Sequence, residues 1–231
     1  MTSISEILLA VFLLADLALA GTGRLRMAIR LVALQGWSLG LLPLAMWDWC
    51  GAGAPEARVF AIAAVNIAVK GCALPALVRY AARKAKANFE VEPIVSFRLS
   101  LVAVFLIAAG SFALGRVLHI EEAVASELAI PVALTTMGTG LFLLCSRRKA
   151  ITQVLAFLVF ENGITVFGAG LLLEYGLVVE LGILLDVFVL VFVLGIAIHE
   201  ISRAFSSIDT DRLNALGDVH LMKKAKAEGR E

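Results

Sequence analysis

The sequence predicts an all-α polytopic membrane protein of about seven transmembrane helices, with the N-terminus outside and the C-terminus cytoplasmic. Three observations lead there. Of 231 residues, 61% are hydrophobic and only 17% charged, with a mean hydropathy of +0.94, too little polar surface for a water-facing domain. The apolar residues come in long runs: Ile94 to Gly115 and Ile151 to Leu173 each exceed the roughly 20 residues that cross a hydrocarbon core. Finally, basic residues alternate between successive loops, as the positive-inside rule requires.

Hydropathy places the spans at 5–21, 28–47, 57–80, 94–116, 125–146, 150–173 and 176–203. The first ends in Leu17-Ala18-Leu19-Ala20-Gly21, which resembles a signal-peptidase site. No Lys or Arg precedes it, however, and Glu6 and Asp16 lie within the segment, so it reads as a retained span. Gly51 to Pro55 separates spans two and three, and Arg83 through Glu92-Pro93 separates three and four. His119 to Glu127 lies before the fifth, and beyond Arg203 the chain turns polar.

The loops after spans one, three, five and seven hold the basic groups: Arg24, Arg26 and Arg30; Arg79, Arg83, Lys84 and Lys86; Arg147, Arg148 and Lys149; and Arg203, Arg212, Lys223, Lys224 and Lys226. The alternate loops carry Glu56, Glu121, Glu122, Glu127 and Glu174 against only Arg58 and Arg116. One missed span would scramble this alternation.

Ionisable groups within the spans need a reason, because a charge at a helix centre costs about 2.5–3.5 kcal/mol on insertion scales. Lys70 lies about 13 Å along its helix from Arg79, too deep for comfortable snorkelling. Asn66 stands one turn before it, and Pro75 supplies no N–H to the Gly71 carbonyl. Asn66, Lys70 and Gly71 are therefore expected to form a polar patch. Glu161 is about 20 Å from Arg148 and Asp186 about 25 Å from Arg203, both near mid-membrane. Asn162 and Gly163 extend the polar stretch at Glu161. A carboxyl such as Asp186, flanked by Leu184, Leu185 and Val187, is placed to exchange a proton unless a cation such as Lys70 holds it ionised. Glu180 lies nearer the outer end, and Asp16 and Gln35 are further polar residues in spans one and two. His199 and Glu200 read as a solvated pair at the inner end of span seven. The opposing reading of all these groups is a set of buried polar contacts that only holds helices together.

No catalytic or metal-binding constellation appears: no HExxH, GxSxG, phosphate-cradling glycine loop or CxxC. The net charge of +1 gives no case for nucleic acid. Cys50, Cys72 and Cys145 are widely separated and read as small buried apolar residues. Gly138, Gly140, Gly168 and Gly170 suit close helix packing. With short outer loops and no redox motif, the chain reads as a subunit of an assembly.

Three segments carry a resemblance: Phe160-Glu161-Asn162-Gly163, the stretch Val179 to Asp186, and Asp209 to Gly217. Together with Lys70 through Pro75 to Tyr80-Ala81-Ala82-Arg83, they resemble the hydrogenase-4 component E family. That resemblance implies a membrane-arm subunit of a respiratory complex related to complex I and to group 4 [NiFe] hydrogenases, in the cytoplasmic (inner) membrane. It divides the chain into a five-helix region, 1–146, a region similar to the K-type subunit of complex I, 147–217, and a charged cytoplasmic tail, 218–231. In the K-type-like region Arg147-Arg148, Glu161, Asp186 and Ile208-Asp209 follow the family's order. Glu161 falls about one helical turn later than the K-type glutamate, and Asp186 stands where that family has a glutamate.

The implied partners are antiporter-like membrane subunits, a membrane anchor subunit and peripheral hydrogenase or electron-transfer subunits. Nickel–iron and iron–sulfur centres are expected only in those partners, with no cofactor in this chain. The expected proton pathway comprises Glu161, Asp186, Lys70, Glu180, Asn66, Asn162 and Asp16. A purely structural subunit and an independent transporter are the competing readings. The parent complex, and H⁺ against Na⁺, stay open.

Overall fold

A computed structural model describes residues 2–47, 57–84, 94–118 and 126–170, with two isolated positions, 191 and 195. The regular elements among the described residues are helical. They are α1 (Thr2–Gly21), α2 (Leu25–Met46), α3 (Ala57–Asn66), a π-helical segment (Ile67–Ala73), α4 (Leu74–Lys84), α5 (Phe97–Leu118), α6 (Ala129–Ser146) and α7 (Ala150–Gly170). The segments from Ala57 to Lys84 follow one another without a break and carry one candidate span, Val59–Arg83. Among the described residues, six helices are therefore long and apolar enough to cross a membrane. They match the first six predicted spans. The seventh, 176–203, lies outside the described residues apart from the two isolated positions.

The distribution of polarity suits lipid rather than water. Leu14, Phe105 and Leu106 are 64–65% exposed, whereas Asp16, Gln35, Thr136 and Glu161 are at most 1% exposed. A bilayer accepts the apolar surface at no cost, so the interior is free to hold the polar groups. Cys72 and Cys145 are likewise exposed on helix surfaces. This corrects the expectation that they are buried: a thiol behaves as a small apolar group, and a lipid-facing position satisfies it without packing.

Among the described residues the core divides in two. One cluster joins Leu19, Ile29, Val78, Leu155 and Val159 from α1, α2, α4 and α7. The other joins Leu9, Phe12, Leu42, Val132 and Val166. Because α1 contributes Leu9 and Phe12, both fully buried, it is an integral helix of the bundle. Glycines set the closest approaches. A Cβ on Gly140 would overlap the Phe160 backbone, and one on Gly163 would lie 2.6 Å from Met137 N. Thus α6 and α7 pack backbone to backbone. Gly163, read above as part of a polar stretch, is the glycine of α7 that makes this contact, and the helix runs through Asn162-Gly163 uninterrupted. Gly138 faces Ile107 of α5 instead.

Candidate functional site

The site begins with the backbone around Pro75. Proline has no N–H and its ring crowds the carbonyl four residues back. The chain responds with π-helix over Ile67–Ala73, in which the Leu74 N–H donates to Val69 O, five residues back. The register shift moves the missing donation: in π pairing, Pro75 is the partner of the Lys70 carbonyl rather than that of Gly71. The segment is closely held by α2, since a Cβ on Gly36 would sit 2.5 Å from Lys70 C and O.

From this segment Lys70 reaches α7. Its Nζ donates to Glu161 Oε1 at 2.9 Å and to Thr165 Oγ1 at 3.0 Å. The ion pair is closed to solvent, with side chains 3% and 1% exposed. Thr165 lies one turn after Glu161 and donates its own hydrogen to the Glu161 carbonyl at 3.1 Å. Its remaining lone pairs therefore face the ammonium. Lys70 and Glu161 both sit near the middle of their spans, at a depth where an unpaired charge would be expensive.

A second buried acid lies between α1, α2 and α6. Asp16 Oδ1 accepts from Gln35 Nε2 at 2.9 Å, and Oδ2 lies 2.8 Å from Thr136 Oγ1. All three residues are fully buried. One turn along α6, the hydroxyl of the fully buried Thr139 has no hydrogen-bond partner among the described residues, nor has Gln35 Oε1.

At the end of α6, Arg147 turns inward. It is 3% exposed, donates from Nη2 to the Ala20 carbonyl at 3.2 Å, and stacks its guanidinium 5.2 Å above Phe97. Burial pushes its pKa below the usual arginine value. It borders a cavity of about 30 Å³ with Thr22 and Thr152, room for about one water. Arg147 stands in the turn after α6, where the basic pattern places it, and its guanidinium ties the ends of α1, α5 and α6.

Of the predicted site residues, the structure brings Lys70 and Glu161 into contact and places Asp16 in a separate site. Asn66 is half-buried and Asn162 buried, and neither joins the ion pair. Asp186 and Glu180 lie outside the described residues, as do His199 and Glu200. Sequence reasoning missed Thr136 and Thr165. Each serves a buried ion-forming group, and the spacing of Thr165 four residues after Glu161 was the available signal. Hydroxyls in apolar helices usually bond their own backbone, which made both look bland. Among the described residues no three His, Cys, Asp or Glu side chains gather to hold a metal ion.

No protein-family model matches this chain, and no solved structure matches it. It is similar to the uncharacterized protein Rv0085 of Mycobacterium tuberculosis (strain ATCC 25618 / H37Rv), with 30% identity over 207 residues, 89% of this chain and 92% of that protein. Identity of that extent along nearly the whole of both chains places this chain in the same family as Rv0085.

Proposed function

We propose that this protein is a non-catalytic membrane-arm subunit of a complex I-like respiratory complex of the group 4 hydrogenase type, in the cytoplasmic (inner) membrane. In this reading it has seven spans, an external N-terminus and a cytoplasmic C-terminus. Its buried ionisable residues take part in proton or ion translocation coupled to electron transfer in partner subunits. Those partners are antiporter-like subunits, a membrane anchor subunit and peripheral electron-transfer subunits, which hold the nickel–iron and iron–sulfur centres.

The observation that carries the reading is the Lys70–Glu161 pair, desolvated at mid-span beside a π-helical segment. Such segments recur at functional sites because they re-aim one turn of side chains. A proton delivered to Glu161 would discharge the pair and loosen the hold on the ammonium, and its departure would restore the attraction. Asp186 is the next acid proposed for the relay, with Glu180 nearer the outer surface and Asn66, Asn162 and Asp16 as polar accessories.

The test is made in the intact complex. Glu161→Gln, Lys70→Met and Asp186→Asn should each leave assembly intact and abolish proton coupling per turnover. Loss of assembly with normal coupling in the complexes that do form would make the pair a helix lock and the chain a scaffold that docks its partners. Copurification without any nickel–iron or quinone-reactive subunit would overturn the respiratory assignment, and an active lone chain in liposomes would point to an independent transporter.

A further inference from the structure

The hydroxyl of Thr136 has one hydrogen and two acceptors within reach: Asp16 Oδ2 at 2.8 Å and its own Val132 carbonyl at 3.0 Å. It serves one at a time. When Asp16 is ionised, Thr136 donates to Oδ2 and Gln35 donates to Oδ1. When Asp16 carries a proton on Oδ2, that proton is donated to Thr136 Oγ1, and the Thr136 hydrogen turns to Val132 O. Gln35 donates to Oδ1 in both forms. Every bond in both patterns uses heavy-atom positions already present, so changing the charge requires only the rotation of one hydroxyl.

The surroundings make this more than a helix tie. No cation faces Asp16 among the described residues. On its own helix Glu6 is exposed; on α2 Arg26 and Arg30 are exposed; on α5 Arg98 and Arg116 are exposed. From α6 the Arg147 guanidinium is engaged by Ala20 O and Phe97, and on α7 Glu161 is held by Lys70. As a hydroxyl, Thr136 is donor to the charged form of Asp16 and acceptor to its neutral form.

We propose that Asp16, with Gln35 and Thr136, is a proton-binding site of this chain, loaded and emptied by reversal of the Asp16–Thr136 hydrogen bond. The site is distinct from the Lys70–Glu161 pair but not remote from it. Gln35 contacts Asp16, and the next residue, Gly36, lies against the Lys70 backbone, so one turn of α2 touches both. The inference does not rest on the respiratory assignment, because proton uptake at Asp16 is measurable in the chain alone.

The experiment is an infrared difference titration of the full-length chain in lipid nanodiscs, following the carbonyl stretch of protonated carboxyl groups. One band should grow and vanish reversibly with pH and shift in heavy water. Asp16→Asn should remove it. This variant is expected to fold, since an Asn amide reproduces the hydrogen-bond pattern of the neutral acid. Thr136→Val, which keeps the shape and deletes the hydroxyl, should displace the band and move its midpoint, and Thr136→Ser should restore both. A spectrum unchanged by Asp16→Asn at every pH overturns the proposal, as does an Asp16 band that never titrates. Should the Asn variant fail to fold, an unmoved band in Thr136→Val overturns it equally.

Discussion

Replacing Lys70 by Met, Glu161 by Leu, and then both together separates what the buried pair does for stability from what it does for ion movement. At 2.9 Å and an effective dielectric of about 20, the two charges attract by about 6 kcal/mol. The desolvation of two ions cancels much of that. Removing one partner removes the attraction and leaves the other ion buried among apolar side chains. Each single variant should therefore lose about 3–5 kcal/mol of stability. The double variant replaces both ions with apolar groups of similar volume and should return to near the parent value, about 1 kcal/mol either way. Equilibrium unfolding in mixed detergent micelles gives all four corners of the cycle. Two additive single losses, or singles costing under about 1 kcal/mol like an exposed pair, would refute the geometry. A stable double variant also isolates the function: ion coupling should be lost in it despite the recovered fold. Full coupling there would end the proposal that the pair handles ions.

Other perturbations test how the pair is positioned. Gly36→Ala puts a methyl 2.5 Å from the Lys70 carbonyl and should cost about 1–3 kcal/mol by forcing two backbones apart; Gly110→Ala, with nothing within 4 Å, should be neutral or slightly stabilising in the same unfolding assay. Pro75→Ala restores a backbone donor and allows α pairing through the π segment, which would swing Lys70 about 100° around its helix. The expected result is a stability loss like that of Lys70→Met, and a cost near zero would show that the proline does not set the register. Arg147→Lys forfeits the stacking on Phe97 and the geometry of the Ala20 contact. It should lose about 1–3 kcal/mol, whereas the neighbouring exposed Arg148→Lys should change nothing measurable.

How much of this was legible in the chain differs by residue. Lys70 and Glu161 announce themselves because hydrocarbon penalises charge wherever it faces. Their contact, bridging 91 positions, depends on which faces the π-helical segment and α7 turn toward each other. Asp16 and Gln35 stood out as polar residues in apolar runs, but nothing in a one-dimensional pattern pairs them with each other or with Thr136, 120 positions away. Cys72 and Cys145 were misplaced, while Cys50 lies outside the described residues: hydropathy reports depth along the membrane normal and says nothing about rotation around a helix.

The amino-acid sequence by itself determined where six helices long and apolar enough to cross a membrane run among the described residues, and which charged groups stand inside them. Those follow from transfer free energies, which are properties of each segment alone. Only the tertiary structure decided that Lys70 meets Glu161, that Gly36, Gly140 and Gly163 bring backbones into contact, that Pro75 is absorbed as π-helix, and that Asp16 is clasped by Gln35 and Thr136. Those are outcomes of packing, set jointly by surfaces far apart in the chain.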